Sequence, residues 1–126
     1  MDHVVDLDSA AAEITARLSA WSAAGLAPCP ITWRDGLAPW PQPLETDRTR
    51  VSDPDSIGLR IQGSDGWAEL HLVLYREGWA DLDALADDEV LTEGPSISNP
   101  EEFGRFLDST VMRFLGTAGS HRDEAR

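Results

Sequence analysis

Carboxylates are the side chains in this sequence with the most evident chemical potential, and they gather in "GWADLDALADDEV", residues 78–90. Asp81, Asp83, Asp87, Asp88 and Glu89 could ligate a hard cation, work as an acid–base pair, or meet a basic partner. A calcium loop of the EF-hand type needs oxygen ligands at alternate positions and a central glycine. Read from Asp81, that register meets Leu85 where a ligand is required and Ala86 where the glycine is required. Asp81 and Asp83 still share one side of a strand, a loose cation arrangement at most.

Other chemistry fares no better. The three histidines, His3, His71 and His121, lie far apart, and no Cys/His group has zinc-ligand spacing. "GSDG" (63–66) is not a nucleophile elbow, which requires Gly-x-Ser-x-Gly between a strand and a helix. Cys29 has no histidine near it in sequence, and phosphate- or dinucleotide-binding glycine motifs are absent. With 23 acidic residues in the chain, a neighbouring pair of carboxylates carries no catalytic signal. The expectation is a protein that is not an enzyme and uses neither cofactor nor metal.

The elements that would position these residues follow from hydrophobic periodicity. In "DSAAAEITARLSAWSAAG", Ala11, Ile14, Leu18 and Trp21 recur at helical spacing. The spacing predicts a helix over about 9–24, with Asp8 or Ser9 capping it and Gly25 stopping it. Five of the eight prolines then crowd "LAPCPITWRDGLAPWPQPLETDRTR". They forbid a helix and allow only a short or edge strand, such as "PITWRDG". Trp33 and Trp40 are the candidates to pack this segment onto the domain.

The centre alternates with period two. Ile57, Leu59 and Ile61 alternate with Gly58, Arg60 and Gln62. After the "GSDG" turn, Ala68, Leu70, Leu72 and Leu74 alternate with Trp67, Glu69, His71, Val73 and Tyr75. After "REG", Ala80, Leu82 and Ala84 alternate with Trp79, Asp81 and Asp83, and "EVLTEGPSI" can add a last short strand. "NPEEFGRFLDSTVMRFLG" then carries Asn99 as cap, Pro100 in the first turn and Glu102 three residues after the cap. Phe103, Phe106, Leu107, Thr110, Val111 and Phe114 line one face of that helix. The predicted fold is α+β and two-layered: an antiparallel sheet of about four to five strands, with an N-terminal and a C-terminal helix packed on one face. Residues 1–116 form one domain, and 117–126 read as a flexible tail.

Composition narrows the partners. A chain of 126 residues with 41% hydrophobic residues and five tryptophans can bury a core as one domain. Its net charge of −13 repels phosphates, so neither nucleic acid nor an anionic membrane is expected as a partner. The single cysteine fits a reducing compartment. The start of the chain lacks the basic and apolar regions of a signal peptide, and no run approaches the ~18 apolar residues of a membrane span. A cytoplasmic location is the expectation. The wet sheet face, with Arg60, Glu69, His71, Tyr75, Trp79, Asp81 and Asp83, combines aromatics with surrounding charge in the manner of a binding hot spot. Asp87, Asp88 and Glu89 extend that acidic surface into the turn beyond.

"LHLVLYREGWADLDAL" followed by "SNPEEFGRFLDSTVMRFL" resembles the TriTu-type immunity proteins of bacterial polymorphic toxin systems. That family has a strand ending in an aromatic, a small glycine turn, an acidic-aliphatic strand and a capped amphipathic helix near the C-terminus. Tyr75, Gly78, Ala80, Asp81, Leu82, Asp83 and the Pro100–Leu115 helix fill these places, and the N-terminal helix with Trp21 is compatible. The resemblance covers about half the chain. Tyr75 stands where a tryptophan is expected, and the proline-rich segment 26–43 has no counterpart. The resemblance implies a cognate toxin as partner, blocked by occlusion of its active site or substrate groove, and no catalytic residues. The protein would act as a monomer or weak homodimer. The alternative is a small acidic secretion chaperone or adaptor, which would dimerise and hold extended segments in apolar grooves.

Overall fold

The computed structural model describes residues 5–86 and 89–116. Helix α1 spans Leu7–Ala23 and begins two residues earlier than the apolar spacing predicts, because Asp6 and not Asp8 or Ser9 is the cap. Its carboxylate accepts the backbone N–H of Asp8 at 3.0 Å and of Ser9 at 3.5 Å. This fills orphan donors of the first turn. The helix ends as expected at Gly25, whose φ of 91° suits a residue without a Cβ.

Among the described residues six strands follow: β1 (Ala27–Pro28), β2 (Thr32–Asp35), β3 (Pro54–Gln62), β4 (Glu69–Tyr75), β5 (Trp79–Ala86) and β6 (Glu89–Glu93). Every pairing is antiparallel, in the order β1-β3-β4-β5-β6. β2 also pairs with β3. β1 meets residues 61–62 of β3 and β2 meets residues 54–58, so the two share one edge and the sheet is five strands wide. Pro28 and Pro30 break that edge strand into two pieces, since proline supplies no ladder N–H. A turn of 3₁₀ helix at Arg48–Arg50 lies between β2 and β3.

Helix α2 (Pro100–Leu115) closes the fold. Asn99 accepts the N–H of Glu102 at 2.8 Å, and Glu102 accepts the N–H of Ser98 at 2.7 Å, a reciprocal lock on the first turn. Both helices pack on one face of the sheet and on each other. Ile57, Leu59, Ile61, Leu70, Leu72, Leu74, Ala80, Leu82 and Ala84 are buried beneath them, in the alternation that the sequence predicts. The architecture is therefore the expected two-layer α+β fold.

Details of the packing differ from expectation. Trp33 is buried at 5% exposure, but Trp40 is 82% exposed and anchors nothing. Trp33 is held because β2 pairs it with Ile57 on the core side and the Arg48 guanidinium lies 5.1 Å from its ring centroid. Trp67 lies in the β3–β4 loop, not on the sheet face, and is 77% exposed. Within α2, Gly104 is buried where the helix meets Glu13 and Arg17 of α1; a Cβ there would collide with the Glu13 carboxylate. The expected tail 117–126, and Asp87 and Asp88, lie outside the described residues. Glu89 opens β6 and does not belong to the turn before it.

Candidate functional site

Among the described residues no helix covers the second sheet face, and strand register arranges its side chains in cross-strand rows. Arg34, Ser56, Tyr75 and Trp79 form one row, and Thr32, Gly58, Val73 and Asp81 the next. Arg60, His71, Asp83 and Thr92 form the third. Ala27, Gln62, Glu69, Leu85 and Val90 form the fourth. The sheet residues anticipated from alternation, Arg60, Glu69, His71, Tyr75, Trp79, Asp81 and Asp83, do share this face.

The face is not evenly wet. Near β2 it is filled: Ser56 is 2% exposed, and a Cβ on Gly58 would meet the Thr32 hydroxyl. Exposure rises toward the other edge, where Trp79 is 42% exposed, Leu85 40% and Val90 72%. A partner approaching this face therefore meets β4, β5 and β6, with the exposed Arg60 and Gln62 of β3 beside them. Sequence alternation alone omitted Leu85 and Val90, which the β5–β6 register places side by side.

The β4–β5 turn creates an aromatic platform. Tyr75 and Trp79 are cross-strand partners flanking the three residues 76–78, with Gly78 at a φ of 105°. Their rings stack at 4.3 Å between centroids, 20° from parallel. Such a pair contributes about 0.5–1.5 kcal/mol beyond area burial and holds Trp79 upright. The Tyr75 hydroxyl donates to Asp81 Oδ2 at 3.4 Å, long for an O–H···O bond. Burial first, and then the Asp81 carboxylate, push the Tyr75 phenol above its usual range. It stays protonated and remains a donor.

The charges divide into satisfied and available groups. Arg60 Nε bonds Glu69 Oε2 at 2.9 Å, so these two largely neutralise one another. Among the described residues Asp83 accepts only the Thr92 hydroxyl, at 3.0 Å. Among the described residues no arginine forms an ion pair with Asp81 or Asp83, whereas Arg17, Arg48, Arg50, Arg76 and Arg113 all hold carboxylates elsewhere. Asp81 and Asp83 therefore present negative charge beside an aromatic pair.

Other polar clusters serve the fold. The Asp35 carboxylate accepts three backbone N–H groups, from Leu37, Ser52 and Asp53, at 2.8–3.0 Å, and these lower its pKa. It thereby ties the end of β2 to the start of β3, a role that the "PITWRDG" strand pattern did not reveal. A cleft of about 360 Å³ lies beside Asp6, Asp8, Asp53 and Arg76. Its carboxylates are already committed: Asp6 caps α1, Asp8 binds Arg48 at 2.7 Å, and Asp53 binds Arg76 at 2.9 Å. No group of three or more His, Cys, Asp or Glu residues among those described could hold a metal ion. No helix among them is long and apolar enough to cross a membrane.

Comparison with known proteins adds no relative: no protein-family model, no curated protein and no solved structure matches the chain.

Proposed function

We propose that this chain is an immunity protein, which binds a toxin domain and blocks its active site or substrate groove with the β4–β5–β6 part of its open face. The observation that carries the reading is the stacked Tyr75–Trp79 pair beside Asp81 and Asp83, carboxylates that no described arginine holds. An exposed aromatic supplies contact area at low entropic cost, and neighbouring carboxylates that hold only hydroxyl donors among the described residues select a basic partner surface. Toxin grooves that act on nucleic acid carry such a surface, and the net charge of −13 would steer the encounter. The resemblance of the β4–β5–α2 stretch to the TriTu-type family points the same way.

Two features speak against the rivals. A chaperone holding extended segments requires a continuous apolar groove. On this face, Val73 is separated from Leu85 and Val90 by the Arg60–His71–Asp83–Thr92 row. The Asp6–Asp53 cleft does not supply the convergent, available polar groups that a hydrolase requires, because its carboxylates are occupied in capping and ion pairs.

The test is co-expression with the toxin encoded beside its gene. Growth should be restored, and persistent toxicity despite soluble expression of the chain would refute the reading. The double variant Trp79→Ala, Asp81→Lys should weaken toxin binding by about 30-fold or more, equivalent to losing a hot spot of roughly 2 kcal/mol. Unchanged affinity, with the circular dichroism spectrum intact, removes this face from the interface.

A further inference from the structure

We infer that β6 is a docking edge, at which an extended basic segment of the protein partner joins the sheet as an additional strand. The inference rests on the protein-binding reading above and adds the manner of attachment.

The two edges of the sheet are treated differently. On the far edge, β1 and β2 cover β3, and Pro28 and Pro30 interrupt the ladder. The outer side of β2 is covered in turn: Trp33 and Glu45 exchange backbone hydrogen bonds of 2.8 and 2.9 Å. β6 has none of these protections. It is five residues long, contains no proline, and pairs with β5 without a register shift. Among the described residues nothing pairs with its outer side. A regular edge of this kind is a template for another strand unless something blunts it.

Side-chain chemistry selects the occupant. Val90, 72% exposed, lies on the open face beside Leu85, so an apolar residue of an added strand would extend that pair. Glu89 and Glu93 lie on the other side of β6, with Leu91 between them. Glu93 holds Arg113 at 2.8 Å, whereas Glu89 has no ion pair among the described residues. A second copy of this chain is disfavoured. Antiparallel self-pairing centred on Leu91 would set Glu89 against Glu93 at both ends, between two chains that each carry −13. A strand with arginine or lysine at alternate positions meets Glu89 favourably and still fills the row beside Val90.

The probe is a synthetic heptapeptide alternating arginine and valine, titrated into the isotope-labelled full chain. A glutamate–valine heptapeptide is the control. The arginine peptide should slow amide exchange in residues 89–93 by about tenfold, and the control should not. Glu89→Arg, an exposed substitution that leaves the core untouched, should weaken the arginine peptide and strengthen the glutamate peptide by about threefold to fivefold each. The inference is overturned by unaltered exchange in β6, by perturbation confined to Trp79 and Asp81, or by a β6-paired dimer of the free chain in sedimentation. The peptide experiment needs no toxin, so a failed rescue in co-expression and a failed edge pairing are distinguishable.

Discussion

Arg17 shows how much one side chain organises. Its guanidinium donates to both oxygens of Asp108, at 2.7 and 3.1 Å, and to the carboxylate and the carbonyl of Glu13, both at 2.9 Å. One residue of α1 thus clamps α2. Hydrogen bonding to Arg17 is the first cause of the lowered Asp108 pKa, with burial opposing it. A carboxylate with a lowered folded-state pKa contributes stability that is fully present above its unfolded value, about 3.9, and is lost as pH falls through the folded value. Asp108 is 62% exposed, so solvent screening reduces the contribution. Arg17→Met should cost about 1 kcal/mol at pH 7 in urea denaturation. Its deficit should shrink as the pH is lowered through the folded value of Asp108, because protonated Asp108 no longer rewards the arginine. A deficit independent of pH would place the effect in packing of the arginine stem instead.

Between elements, α2 comes tightly against α1 at Gly104. Helix propensity alone makes Gly→Ala in a helix favourable by about 1 kcal/mol. Here the added methyl meets the Glu13 carboxylate and lies 2.9 Å from an Arg17 nitrogen, both fixed in the clamp with Asp108. Gly104→Ala should therefore destabilise by about 1 kcal/mol, since forcing the clamp apart outweighs the propensity gain. A rise in the urea midpoint would show that the helices separate at little cost. The same contact explains why a helical wheel missed this position. Phe103, Leu107 and Val111 announce the buried stripe, but glycine marks the place where a second helix comes near, and that helix is 91 residues earlier in the chain by the Arg17–Asp108 separation.

Charge acts on the molecule as a whole. The local ion pairs of Arg17, Arg48, Arg60, Arg76 and Arg113 leave a surplus that gives the net −13. Self-repulsion of that surplus opposes the compact state, and salt screens it beyond a Debye length of about 10 Å at 0.1 M. Raising sodium chloride from about 0.02 to 0.5 M should raise the Tm by a few degrees, as thermal denaturation would show. A falling Tm would mean that the arginine pairs, which the same salt weakens, outweigh the long-range repulsion.

The sequence by itself determined the two layers, both helices, the meander from β3 to β6 and the division of its residues between core and open face. It could do so because these depend on local rules: a period of 3.6 or 2, Asn99 and Pro100 at a helix start, Gly25 at a helix end, and Gly78 in a tight turn. It also placed Tyr75, Trp79, Asp81 and Asp83 on one face, since alternation along a strand assigns faces without knowledge of neighbours. Tertiary structure alone decided which part of that face is available. Register across β2 and β3 buries Ser56, register across β5 and β6 sets Leu85 beside Val90, and arginines neutralise some carboxylates while no described arginine pairs with Asp81 or Asp83. Those outcomes depend on contacts between strands and helices far apart in the chain, which no local pattern encodes.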